Sequence, residues 1–196
     1  MTFEFDPRKA ALLVVDMQKG FIEEGAAMEV PPGRNIIPNI QTLLTCCRNL
    51  DIPVIFTRFV YASEVPNLIG ELHPQHKPPV SCCQVGDPSV EIVDDLIPSE
   101  SELIIDKHGY DAFRGTPLDY ALKSQGKNQL IFTGVMTDIC VLATVTSALH
   151  HEYQSWTIDD ATATLWEEVQ ATTIDLIKRA YGMVSTTSEM IQLLNH

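Results

Sequence analysis

Short β-branched apolar runs alternate with longer amphipathic stretches along this chain. The runs are ALLVVD (11–16), VIFTRF (54–59), ELIID (102–106), QLIFTGV (129–135), SWTIDD (155–160) and MVSTT (183–187). They are apolar throughout rather than alternating, which is the pattern of strands buried on both faces, and so they predict a parallel sheet. Helical patterns separate them at residues 36–49, 116–124, 139–151 and 167–181, with a last short turn from Ser188. The first of these follows a Pro-Gly turn, the second opens with Thr-Pro, and Gly182 stands where a helix C-cap is expected. Strands that are each followed by a helix must be covered on both sides. The expected fold is α/β: a single domain over residues 1–196, built on a doubly wound (Rossmann-like) six-stranded parallel sheet with helices on both faces.

The stretch from Val60 to Pro88 breaks this rhythm. It is rich in proline, carries His73, His76, Cys82 and Cys83, and has no clear period. An excursion of that length in a compact domain is usually a lid, a binding loop or an oligomer contact.

Composition narrows the function classes. A chain of 196 residues with 45% hydrophobic content can build one sizeable core. Its net charge of −13 argues against binding nucleic acid or an anionic membrane surface, and leaves a small-molecule substrate as the default partner. No apolar run reaches the roughly 20 residues needed to span a bilayer, and residues 1–10 lack the apolar core of a signal peptide. A soluble, cytoplasmic protein is expected. Five cysteines, four of them in the vicinal pairs Cys46–Cys47 and Cys82–Cys83, fit neither a disulfide framework nor a CxxC zinc site. Free thiols in a reducing compartment follow. The prolines around His73 and His76 interrupt any helix that would present both rings together, so no metal and no cofactor is expected there. Loop surface, oligomer contact or pocket rim is the role left for the two histidines.

In an open parallel sheet, ligands bind beyond the carboxyl ends of the strands. Asp16 ends the first strand, Lys107 follows the third, and Cys140 lies just after the fourth at the start of a helical run. A single Asp or Lys at such a place is ordinarily a cap or a solvated side chain. Three complementary types in equivalent positions on three strands point further, to a cysteine nucleophile. A helix N-terminus and the Lys107 cation would lower the Cys140 pKa, and Asp16 would take the thiol proton. The same helix start could supply N–H groups to an oxyanion.

The segments LLVVDMQKGF (12–21), DKHGYDAFRGTPLDYAL (106–122), LIFTGVMTDICV (130–141) and DDATAT…TT (159–164, 186–187) resemble the successive signature blocks of the isochorismatase-like hydrolases, over essentially the whole chain. The resemblance implies a catalytic triad of Asp16, Lys107 and Cys140. It also implies a cis peptide at Val135–Met136, with the Met136 and Cys140 N–H groups as the oxyanion hole. The superfamily includes amidohydrolases acting on carbamoyl and ureido groups, nicotinamidases, and vinyl-ether hydrolases that need no cysteine. Cys140 favours cleavage of a C–N bond in a small amide or ureide through a thioester. The alternatives are vinyl-ether hydrolysis with Asp16 as the acid, and a catalytically silent binding relative. Nicotinamidase-like members carry metal-binding histidines just after the second strand, where this chain reads TRFVYASEV. Further candidate substrate contacts are Gln18, Tyr110, Phe113, Arg58 and Arg114, the two arginines as partners for a carboxylate. The family resemblance and the long excursion together imply a homo-oligomer, a dimer or tetramer of closed symmetry.

Overall fold

The computed structural model describes residues 4–62, 64 and 68–195. Its strands are β1 (Ala10–Val15), β2 (Val54–Phe59), β3 (Leu103–Lys107), β4 (Gln129–Val135), β5 (Gln154–Ala163) and β6 (Met183–Ser185). All neighbours pair in parallel, in the order β3-β2-β1-β4-β5-β6. The chain steps outward from β1 through β2 to β3, then returns to the other side of β1 to begin β4. The connections leaving β1 and β4 therefore diverge, and a crevice opens beyond their carboxyl ends.

The helices are α1 (Lys19–Ile22), α2 (Ile37–Asn49), α3 (Leu68–Leu72), α4 (Leu118–Ser124), α5 (Leu142–His150), α6 (Glu167–Ala180) and α7 (Thr187–Leu194). Every residue of β1 and β4 is buried, as continuous apolar runs require. Strand alternation divides them between two cores. Leu12 and Val14 pack with Ile40 and Leu43 of α2 and Met190 and Leu194 of α7. Leu13 and Val15 pack with Leu118 of α4, Val145 of α5 and Ile177 of α6. Each such side chain contributes about 1.5–3 kcal/mol on burial, so a one-residue slip of β1 would exchange its two faces and is strongly resisted. Among the described residues, no helix is long and apolar enough to cross a membrane.

Several elements differ from their expected bounds. β5 runs on to Ala163, and its pairing with β4 shifts between Phe132 and Gly134. Gly134 has φ 103, and a Cβ there would lie 2.0 Å from Val15 O, so only glycine lets β4 approach β1 so closely beside Asp16. β6 stops at Ser185 because Thr186 caps α7: its hydroxyl accepts from Glu189 N–H, and the Glu189 carboxylate accepts from Thr186 N–H. Gly182 does not act as a left-handed cap. A Cβ there would lie 2.7 Å from Ser155 O, so close approach to β5 is what requires it. The stretch expected as a helix from Ile139 opens instead with one wide turn, Thr137–Val141, before α5. The excursion after β2 folds back through the bridge Tyr61↔Gln84, and Gln18 bridges to Ile92 beyond it. Residues 63 and 65–67 of that excursion, like 1–3 and 196 at the ends of the expected domain, lie outside the described residues.

Candidate active site

At the end of β1 the backbone turns at Asp16, which takes φ 51, a left-handed conformation that aspartate tolerates better than most residues. Asp16 N–H donates to Thr57 O on β2 at 3.2 Å. The Thr57 hydroxyl donates to Asp16 Oδ1 at 2.6 Å. Lys107, the last residue of β3, puts Nζ 2.7 Å from Asp16 Oδ2, with both side chains shut off from solvent. Nζ also donates to Gly109 O at 2.9 Å and sits 5.5 Å from the centre of the Phe59 ring. The Lys107–Asp16 contact is an ion pair without hydrogen-bond alignment. Asp16 Oδ2 accordingly accepts no aligned hydrogen bond among the described residues.

β4 ends in a cis peptide between Val135 and Met136, and the wide turn Thr137–Val141 follows. Met136 O accepts from the N–H groups of Ile139 and Val141, both at 3.1 Å. The Thr164 hydroxyl donates to Asp138 Oδ1 at 2.5 Å and ties this turn to the end of β5. Cys140 thereby lies in the first turn of the helical run that continues into α5, within hydrogen-bonding reach of Asp16 and Lys107. Thr144 holds the neighbouring loop in place: its hydroxyl donates to Cys140 O at 2.7 Å and accepts from Ala112 N–H at 3.1 Å.

The electrostatics overturn one expectation. Burial pushes the Cys140 thiol well above the usual cysteine range, and the Asp16 carboxylate adds to that rise against the downward pull of Lys107. A helix start and a cation therefore do not yield a resting thiolate, because burial outweighs them. For Lys107, burial works downward, but Asp16 and then Cys140 reverse it and hold the ammonium above its ordinary value. The resting site is a protonated thiol beside a closed carboxylate–ammonium pair.

These groups border a cavity of about 80 Å³ whose lining includes Asp16, Val135, Met136, Ile139 and Cys140. Phe21, Met28, Val30 and Phe59 make most of the remainder apolar, while Tyr110, His73 and His76 add polar groups.

The isochorismatase domain model matches residues 10–189. This chain belongs to the isochorismatase family. A cysteine hydrolase from Pseudomonas syringae pv. phaseolicola 1448A is 28% identical with a TM-score of 0.93, covering 99% of this chain and 96% of that one. An isochorismatase-like hydrolase from Alkaliphilus metalliredigens is 30% identical with a TM-score of 0.82, over 94% of this chain and 98% of that one. An N-carbamoylsarcosine amidase from Thermoplasma acidophilum is 26% identical with a TM-score of 0.79, over 91% and 96%.

In this isochorismatase-family site, Asp16, Lys107, Cys140 and Met136 come together, and Tyr110 joins them with its hydroxyl 3.1 Å from His73 Nε2. The other candidate contacts lie elsewhere. Arg58 stands opposite Asp106 in the β2–β3 register and binds it through Nε–Oδ1 at 2.7 Å and Nη2–Oδ2 at 3.0 Å, with Glu91 alongside. Arg114 is exposed and does not line the cavity. Phe113 is a core residue, stacked on His151 at 4.8 Å between ring centres and tilted against Tyr153 at 5.4 Å. Gln18 is a buried cross-link: its amide donates to Phe59 O and Val90 O at 2.9 and 3.1 Å and accepts from Phe59 N–H at 2.7 Å.

No single helix presents His73 and His76, yet Pro74 heads a tight turn that leaves their ring centres 6.1 Å apart on the cavity, the pocket position being one of the three roles expected for them. Among the described residues, no group of three or more His, Cys, Asp and Glu is arranged to hold a metal. Sequence reasoning also missed Thr57 and Thr144. The one polar, uncharged position inside the apolar run VIFTRF was the available signal for the first.

Proposed function

We propose that this isochorismatase-family hydrolase cleaves the C–N bond of a small uncharged amide or ureide through a thioester on Cys140. The observation that carries this reading is a buried thiol in reach of both a carboxylate and an ammonium at one cavity. As the sulfur attacks the substrate carbonyl, Asp16 takes the thiol proton, so no standing thiolate is required. The S–C bond forms and the carbonyl electrons move to oxygen. The Met136 and Cys140 N–H groups hold that oxyanion. Lys107 offsets negative charge first on Asp16 and then on the intermediate. Collapse breaks the C–N bond, Asp16 returns the proton to the leaving nitrogen, and ammonia or an amine departs. Water, deprotonated by Asp16, then attacks the thioester, and expulsion of the sulfur with its proton restores the thiol and releases the acid.

Among the described residues no arginine or lysine lines the cavity, and the neighbouring Lys107 is already paired with Asp16, which argues for an uncharged substrate over the carboxylate that Arg58 and Arg114 were expected to bind. Intact-mass spectrometry with a panel of small amides tests the reading. An acyl adduct on the wild type, absent from Cys140→Ala, is expected together with ammonia release. Near-wild-type turnover by Cys140→Ala would instead favour an acid–base route with Asp16 as proton donor.

A further inference from the structure

The His76 ring is fixed in place before any ligand arrives. It is 2% exposed and packs against Phe59 and Tyr61, with ring centres 4.7 and 5.9 Å away and the Tyr61 ring nearly parallel at 13°. Cys82 is pinned on both sides: its N–H donates to Gln75 O at 2.8 Å, and its carbonyl oxygen lies 2.8 Å from His76 Nδ1. A carbonyl oxygen only accepts, so Nδ1 carries the hydrogen, and in the neutral ring Nε2 is left as a bare acceptor. Burial holds this ring below the ordinary histidine value, with His73 adding to the effect against the Cys82 carbonyl, so the neutral ring is the resting form at pH 7. Nε2 has no hydrogen-bond partner among the described residues, and the ring lines the same cavity as Cys140.

The chemistry proposed above orients the substrate. Its leaving nitrogen must lie at Asp16, which protonates it, and its carbonyl oxygen at the Met136 and Cys140 N–H groups. The remaining substituent on the carbonyl then faces the rest of the cavity, which is apolar at Phe21, Met28 and Val30 and offers an acceptor at His76. Resting on that reading, we infer that His76 is a specificity residue whose Nε2 accepts a hydrogen bond from an N–H or O–H on this substituent. The enzyme thus takes small neutral amides that carry such a donor ahead of their hydrocarbon isosteres. A site built to pair with a polar group rejects the analogue lacking it far more strongly than an apolar pocket discriminates by size.

Lactamide and isobutyramide, which differ by a hydroxyl in place of a methyl, make the test. The wild type is expected to show a kcat/KM at least about 100-fold higher for lactamide, and His76→Phe, which keeps the ring stack but not the acceptor, to bring the ratio to one or below. Intact mass is read in parallel. Equal kcat/KM values with thioesters from both amides overturn the His76 inference and leave the Cys140 chemistry standing, whereas no thioester from either overturns that chemistry and this inference with it. A preference for lactamide that survives in His76→Phe also overturns the assignment. A measurement independent of that variant is ¹⁵N NMR of the histidine rings in Cys140→Ala. The His76 Nε2 resonance is expected to move upfield with lactamide and to stay in place with isobutyramide, and an unmoved resonance in both overturns the inference.

Discussion

Replacing Lys107 with methionine isolates the buried ion pair, because the side chains are similar in length and only the charge and its hydrogen bonds go. The structure gives a pair 2.7 Å apart with essentially no solvent on either side, so Lys107→Met leaves the Asp16 carboxylate buried without its cation. Such a break costs about 3–5 kcal/mol. For a domain of this size each kcal/mol lowers Tm by roughly 2–4 °C, giving an expected loss of roughly 6–20 °C. Adding Asp16→Asn removes the second charge while the Thr57 hydroxyl can still donate to the amide oxygen. The double variant is then expected to be more stable than the sum of the single variants by about 1–3 kcal/mol, yet no more active than either, since the residues act as a unit. The pair also sets an alkaline limit. The folded-state pKa of Lys107 is raised, so its contribution is full below the ordinary value of 10.5 and is lost as pH climbs through the higher folded value. Urea denaturation followed by circular dichroism, at neutral pH and at pH above 10.5, measures all of this. Additivity of the two substitutions to within about 0.5 kcal/mol would refute the coupling on which the site's electrostatics rest.

Other outcomes follow from the same geometry. Alkylation of Cys140 by iodoacetamide is expected to rise with pH beyond the ordinary thiol value of 9.0 without levelling off below it, because burial raises this thiol, and a plateau below pH 8 measured by peptide mass would contradict that. Gly134→Ala is expected to abolish soluble folded protein or to lower stability by more than about 3 kcal/mol, since its Cβ would meet Val15 O at 2.0 Å in a left-handed backbone; near-wild-type melting would falsify this. The assembly is expected to be a dimer or tetramer, and a monomeric mass by light scattering at micromolar concentration would remove the oligomer from the account.

The six-stranded parallel sheet and the sites at strand ends were legible because the runs of β1 and β4 are apolar throughout, and because Asp16, Lys107 and Cys140 occupy equivalent places after their strands, whereas the order of the strands came only with the fold. What the residues alone do not carry is which side chains meet across strands. Arg58 reads as a free guanidinium until the β2–β3 register sets it opposite Asp106. The protonation of Cys140 is likewise a tertiary property: the helix start and the lysine are visible in sequence, but the burial that outweighs them comes from how the cavity closes. Gln18 shows the same limit, since its side-chain hydrogen bonds reach Phe59, Cys83 and Val90, and only the folded excursion brings Cys83 and Val90 to it.

The division of labour around the crevice has a bearing on how such a protein can change over time. The reacting groups sit at the ends of strands wedged between two cores, where an altered residue disturbs the sheet itself. His73 and His76 belong to an excursion that contributes no strand among the described residues, and Met28 to another connection outside the sheet. Mutation can therefore rewrite what enters the pocket at little risk to the folding of the scaffold, and a lineage can try new substrates while inheriting its chemistry unchanged.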